Sequence, residues 1–229
     1  MKPSNLLLVC LGCVPFASAE AAETGWYFVG FGGESSASGL SVNSAQNRLE
    51  AIVTAAGLDL VTSTTTIDDS DTGFGLTGGY QLNDNFAFEL SYVDLGAAGS
   101  SHTATVTDGT TSEDVEVVLR SAADGAVVSA LGILPIGERF AVFARLGISF
   151  LSADGTAKIT AGGETARPNQ SSQKVEPLYG IGAEYSFSKH FAVRLGWDRY
   201  TDVGTGDVTG NIDGDLISLG IRMNAGWFR

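Results

Sequence analysis

Few side chains in this sequence can do catalytic chemistry. Two histidines occur in 229 residues. His102 follows Ser100 and Ser101, and a serine beside an imidazole is the beginning of a nucleophile-and-base pair. His190 follows Ser188 and Lys189. The two histidines fall in connections expected at opposite ends of the molecule. They cannot share a site, and both read as solvated loop histidines. Asp68, Asp69 and Asp71 form an acidic run, but calcium needs several convergent oxygens and this spacing matches no defined loop. A hydrated acidic loop is the plainer reading. The clusters Gly30, Gly32, Gly33 and Gly73, Gly75, Gly78, Gly79 precede no helix, so they are not phosphate loops. They suit places where a strand backbone bends or is closely approached. No catalytic residue, metal site or cofactor is expected.

The richer set of ionisable groups sits inside stretches that alternate apolar and small or polar side chains. In Phe86-Ala87-Phe88-Glu89-Leu90-Ser91-Tyr92 one parity is Phe, Phe, Leu, Tyr and the other Ala, Glu, Ser. That is the period-two signature of a strand. Eight such strands are expected at 24–33, 72–82, 86–95, 124–134, 140–151, 175–187, 191–201 and 213–223. Alternate connections are short, at Asn83-Asp84-Asn85, Pro135 to Arg139 and Ser188-Lys189-His190, and have turn chemistry. The others, 34–71, 96–123, 152–174 and 202–212, are long and rich in Ser, Thr, Gly and Asp. Within them, 44–56 reads either as a short amphipathic helix, with Leu49, Ile52 and Val53 at helical spacing, or as strand extension. Thr103–Thr107 and Val115–Leu119, separated by Asp108-Gly109-Thr110-Thr111, read as a protruding hairpin.

An even number of antiparallel strands with short turns at one end and long loops at the other is the pattern of an outer-membrane barrel. The expected fold is all-β, a closed eight-stranded antiparallel transmembrane β-barrel of up-and-down topology. A soluble sandwich also alternates. It does not account for aromatics near strand ends, where a membrane girdle places them: Trp26, Tyr27, Tyr80, Phe86, Tyr92, Phe140, Phe150, Tyr185, Phe187 and Trp197. A backbone in lipid must also close on itself.

Parity then assigns the lumen. With Phe88, Leu90 and Tyr92 toward lipid, Glu89 and Ser91 point in. By the same rule Arg145, Glu176, Glu184, Arg194, Asp198, Ser218, Gly220 and Arg222 point in. A mid-membrane charge on the lipid side costs about 2–4 kcal/mol, whereas inside these charges can pair. An eight-strand barrel has an interior about wide enough for side chains to fill. The expectation is a lumen plugged by an ion-pair network of Glu89, Arg145, Glu184, Arg194, Asp198 and Arg222. Asp94 and Arg199 have outward parity at loop ends, within reach of head groups.

The chain opens Met1-Lys2, runs Leu6 to Phe16 apolar, and continues Ala17-Ser18-Ala19. This predicts a secretory signal peptide over 1–19, followed by a barrel domain over 20–229. The rival is a lipoprotein signal modified on Cys13. Cys10 and Cys13 are the two cysteines, so the mature chain is expected to lack thiols and disulfides. The net charge of −13 supplies no basic stripe for nucleic acid. Much of the acid lies in the long connections.

Phe88-Glu89-Leu90-Ser91-Tyr92-Val93-Asp94-Leu95-Gly96, Ala144-Arg145-Leu146-Gly147, Gly182-Ala183-Glu184-Tyr185, Val193-Arg194-Leu195 and Leu216-Ile217-Ser218-Leu219-Gly220-Ile221 together resemble the transmembrane domain of OmpA-like outer-membrane proteins. The likeness covers most of the mature chain, strands better than loops. It implies inward carboxylates and arginines bridging the lumen, at Glu89, Arg145, Glu184 and Arg194. The family's inward lysine on the fourth strand is matched by Leu131, which cannot form that pair. Arg222 is an unusual inward arginine placed to become the partner of Glu184. No second domain is expected after the barrel, so the family's peptidoglycan-anchoring role is not carried over. The family's terminal aromatic is displaced, Phe228 being followed by Arg229.

Three functions remain open. The first is a structural or surface-interaction protein supporting envelope integrity and adhesion through long acidic extracellular loops. The second is a narrow, porin-like small-solute channel gated by the Glu/Arg network. The third is a lipid-modifying enzyme using His102. The expected location is the outer membrane of a Gram-negative cell. The expected partners are outer-membrane lipid and lipopolysaccharide, the assembly machinery and periplasmic chaperones, with the barrel a monomer.

Overall fold

A computed structural model describes residues 24–38, 42–55, 57–161, 164–203 and 213–225. The expected signal peptide, most of the 202–212 connection, Phe228 and Arg229 lie outside them. The chain runs β1 (Gly25–Ser38), α1 (Val42–Ala55), β2 (Asp59–Asp68), β3 (Ser70–Asn83), β4 (Phe86–Thr107), β5 (Ser112–Ile136), β6 (Phe140–Ala161), β7 (Glu164–Ala166), β8 (Asn169–Ser186), β9 (Phe191–Tyr200) and β10 (Asp213–Asn224).

Eight strands form a ring in the order β4-β3-β1-β10-β9-β8-β6-β5, and β5 returns to β4. All ring pairings are antiparallel. Closure is made by β1 on β10, from Tyr27 opposite Asn224 to Ser38 opposite Asp213. Every strand in the membrane layer thus has a neighbour on both sides, as a chain in lipid requires.

The ring is taller on one side than the sequence predicts. Strands β4, β5, β6 and β8 run well past residues 95, 124, 151 and 175, whereas β9 ends at Tyr200 and β10 begins at Asp213. The segments read as loops 96–123 and 152–174 are largely continuous strand, because their Thr and Val residues keep pairing above the bilayer. Of the two readings of 44–56 the helix holds, and strand extension occurs on either side of it. Strand β1 is extended, α1 forms, and β2 pairs with the top of β4. Val53 of α1 is buried in a satellite cluster with Ala104 and Val106, packed against Leu58, Leu60 and Val115. The β4–β5 hairpin turns at Asp108, whose Oδ1 accepts the backbone N–H of Thr110 (2.8 Å) and of Thr111 (2.7 Å).

Outside the ring, apolar side chains stand in the open. Leu76, Leu146 and Ile181 are 71%, 69% and 61% exposed, with Phe88, Leu90, Leu195, Ile217 and Leu219 all more than half exposed. A band of this kind suits hydrocarbon and not water. Inside the ring there are two layers. On the turn side Tyr27, Val29, Ala87, Leu131 and Phe143 pack together around charged groups. On the loop side Val93, Leu95, Ala123, Val127, Leu151, Leu178, Tyr200 and Leu216 form an apolar layer.

Candidate functional site

The six lumenal residues come from five strands. Glu89 is on β4, Arg145 on β6, Glu184 on β8, Arg194 and Asp198 on β9, and Arg222 on β10. The inward parity of each strand places them there, and the register brings them level. Arg194 stands opposite Glu184 on the neighbouring strand, so that pair is set by the ladder itself. The others meet across the lumen.

Their side chains form one unbranched chain of alternating sign. Arg222 Nη1 meets Glu184 Oε1 at 3.0 Å. Arg194 Nη2 meets Glu184 Oε2 at 2.9 Å and its Nη1 meets Glu89 Oε1 at 2.5 Å. Arg145 Nη2 meets Glu89 Oε2 at 2.9 Å, and Arg145 Nη1 meets Asp198 Oδ2 at 2.6 Å. The order is Arg222–Glu184–Arg194–Glu89–Arg145–Asp198. Three guanidinium groups face three carboxylates, so the chain carries no net charge. Its members are almost entirely removed from solvent, the Glu89 side chain wholly so. Buried pairs of this kind contribute little net stability, but deleting one partner strands a buried charge.

Neutral groups extend the chain at Glu89 and Arg222, whereas Arg145 Nε and Asp198 Oδ1 are buried with no hydrogen-bond partner among the described residues. The Tyr27 hydroxyl donates to Glu89 Oε1 at 2.7 Å. Arg222 Nη2 donates to Gln81 Oε1 at 2.5 Å, and its Nε to Asn224 Oδ1 at 3.0 Å. The Arg222 guanidinium lies 3.9 Å from the Tyr27 ring centroid, and that of Arg194 lies 5.0 Å from Phe143, both within cation–π range. Gly79 makes room for Tyr27: a Cβ at 79 would overlap the ring.

Tyr27 therefore does not belong to the interfacial girdle. It is fully buried in the lumen, because the 24–33 stretch has apolar residues on both parities and alternation cannot say which face is which. Trp26, its neighbour, is the girdle residue, 63% exposed and edge-on to Tyr80. The sequence does carry a signal for Gln81: Phe74, Leu76, Tyr80 and Leu82 leave it inward. Glu176 shares the inward parity but lies above the network. Among the described residues its side chain joins no ion pair, and its backbone carbonyl accepts from Ser149 Oγ at 3.0 Å. Arg199, on the outward side, pairs with Asp213 at 2.9 Å, and Asp94 Oδ1 accepts the N–H of Gly96 at 2.8 Å.

His102 is not a solvated loop residue. It lies on the outer part of β4 and is buried. Its Nε2 pairs with Ser100 Oγ at 2.9 Å and its Nδ1 with Thr65 Oγ1 of β2 at 3.0 Å. Burial holds the imidazole pKa below its ordinary 6.5. Both ring nitrogens face hydroxyls, which fits a clasp between β2 and β4. Asp71 has its carboxyl held down by the backbone N–H groups of Ala97 and Thr72, so it caps a rim turn.

Free space in the barrel is small. A cavity of about 40 Å³ opens at the turn end beside Gln81, Phe143, Glu184, Arg194 and Arg222. A second, of about 10 Å³, lies beside Arg145, Asp198 and Ser218. The second is about the size of one water molecule.

The chain is similar to known proteins along most of its length. The family model described as the OmpA-like transmembrane domain matches residues 21–227. Outer membrane protein A of Serratia marcescens is 29% identical over 155 residues, covering 67% of this chain and 39% of the relative. The Yersinia pseudotuberculosis protein of that name is 26% identical over 155 residues, covering 67% and 40%. The chain thus spans about two fifths of the length of these relatives. Among solved structures, Neisserial surface protein A aligns at 15% identity with TM-score 0.42, over 88% of this chain and 97% of that one. The attachment invasion locus protein of Yersinia pestis aligns at 15% with TM-score 0.36, over 88% and 100%.

Proposed function

This chain belongs to the family of OmpA-like transmembrane domains and is an outer-membrane β-barrel in contact with outer-membrane lipid, and on that premise we propose that it is a structural and surface-interaction protein with a closed lumen. The observation that carries this reading is the filled interior, where the charge-balanced chain Arg222–Glu184–Arg194–Glu89–Arg145–Asp198 crosses the barrel beneath the buried apolar layer of Val93, Val127, Leu151, Leu178, Tyr200 and Leu216. Every carboxylate in the chain has a guanidinium partner, and the cavities beside it are small. Such an interior adds rigidity and does not offer a path. The surface role falls to the tall wall of β4, β5, β6 and β8 with β2 and α1 against it, whose hairpin tip is acidic at Asp108, Glu113 and Asp114. The wall would support envelope integrity and adhesion, with the barrel a monomer inserted by the assembly machinery and its periplasmic chaperones after loss of residues 1–19. No catalytic step is assigned to His102.

The test is conductance of the purified protein in planar bilayers, beside detergent sensitivity and surface binding of cells lacking it. A closed wild type, with binding lost on shortening the hairpin between Ala97 and Ala122, is the expected result. A stable open state in the wild type would overturn the reading and favour the small-solute channel.

A further inference from the structure

The closed lumen proposed above has two candidate barriers, stacked one above the other along the barrel axis, with Phe31 packed against both apolar clusters. In six strands the apolar-layer residue lies four to six positions toward the loop end from the turn-side residue. On β4 it is Val93 against Glu89, on β5 Val127 against Leu131, on β6 Leu151 against Arg145, on β8 Leu178 against Glu184, on β9 Tyr200 against Arg194, and on β10 Leu216 against Arg222. At about 3.3 Å per residue and the tilt usual in a barrel, the separation is about 10–15 Å, except at the end of the ion-pair chain, where Asp198 lies two residues from Tyr200 on β9 and the two storeys adjoin. The apolar layer therefore forms a second storey, on the extracellular side of the ion-pair chain.

We infer that this apolar layer, and not the ion-pair chain, is the seal that stops solutes crossing the barrel. Leu216 and Val93 are completely buried, and Leu178, Tyr200, Val127 and Leu151 have at most 3% of their surface exposed. Side chains from β4, β5, β6, β8, β9 and β10 meet there, with Phe31 of β1 and Val203 packed against them. Apart from the Tyr200 hydroxyl, the aliphatic side chains of this storey have nothing to hydrogen-bond water or hold an ion, so a solute crossing it must shed most of its hydration. Apolar constrictions of this kind block by dewetting. The ion-pair storey is different in kind. It is lined by donors and acceptors, and it borders both the cavity open at the turn end and the small cavity beside Asp198. The turn-end cavity approaches it only at Glu184, Arg194 and Arg222, and its pairs can exchange partners without opening a path, because the apolar storey above stays shut.

This inference rests on the closed-barrel reading, and one experiment separates the two. Conductance and liposome efflux of a small sugar are measured for wild type and two variants, with the heat-modifiable band as the check on folding. Glu89→Gln/Arg194→Gln removes the two central members of the chain and leaves Arg145–Asp198 and Arg222–Glu184 as balanced pairs. It is expected to remain closed. Leu151→Ser/Leu178→Ser/Leu216→Ser wets the apolar storey and is expected to gain a stable conducting level absent from wild type. An open network variant, or a folded serine variant that stays closed, would overturn the inference while the closed wild type still stands. An open wild type would instead remove the reading beneath it. Should the serine variant not fold, the single change Leu178→Ser replaces it, with the same gain of a conducting level expected and a folded, closed variant overturning the inference.

Discussion

Neutralising Glu89 tests the lumenal chain most sharply. Its carboxylate accepts from Tyr27, Arg194 and Arg145 at 2.7, 2.5 and 2.9 Å, and its side chain has no exposed surface. Glu89→Gln leaves two buried guanidinium groups facing a neutral amide. Breaking a buried pair from one side costs about 3–5 kcal/mol. Arg194→Gln leaves three carboxylates to two guanidiniums, Glu89 keeping Arg145 and Glu184 keeping Arg222, so one buried negative charge is uncompensated, at similar cost. The double variant loses one charge of each sign, and its four remaining members are still paired. Its destabilisation should therefore fall short of the sum of the singles by about 1–3 kcal/mol. The assay is urea unfolding in lipid vesicles, followed by tryptophan fluorescence and by the heat-modifiable band. Additivity within about 0.5 kcal/mol would mean that the two groups do not sense each other, and the chain would not be the unit described.

Gly79→Val puts a branched side chain into the Tyr27 ring and is expected to cost about 1–3 kcal/mol by overpacking. Gly78→Val, pointing to lipid with only the edge of Phe28 near it, should be close to neutral; the midpoint of the gel-band shift compares them. Leu146→Arg places a cation on the lipid face, where it should lower folding stability by about 2–4 kcal/mol in vesicles, and an unchanged midpoint would contradict the assigned parity. His102 has a folded pKa below its unfolded one. The unfolded clasp therefore binds protons first as pH falls, and stability of the β2–β4 contact is full above about 6.5 and declines below it. Amide exchange on β2 and outer β4 at pH 7.5 and 5 reads this, and His102→Gln should remove the difference.

The pattern of the sequence determined the barrel and most of its orientation. Period two in 86–95, 140–151 and 191–201 needs only one strand to be read, because a side chain two residues along returns to the same face. That is why the inward positions of Glu89, Arg145, Arg194 and Asp198 can be read from the residues on either side of each. Alternation fails where both faces are apolar, and so it puts Tyr27 in the girdle when the ring in fact holds Glu89 inside. It also cannot say where a strand stops: Thr- and Val-rich segments that pair above the bilayer look like loops until a neighbouring strand is there to pair with.

Tertiary structure alone decided who meets whom. Glu89 and Arg194 are 105 residues apart, and only shear and closure of the ring set them level. The same closure turns three carboxylates and three guanidiniums into a neutral chain and stacks an apolar storey above the charged one, while the added strand β2 buries His102. Facing is a local property of the pleat and is written in neighbours along the chain. Distance across the lumen depends on the stagger of all eight strands, and no single stretch of sequence carries it.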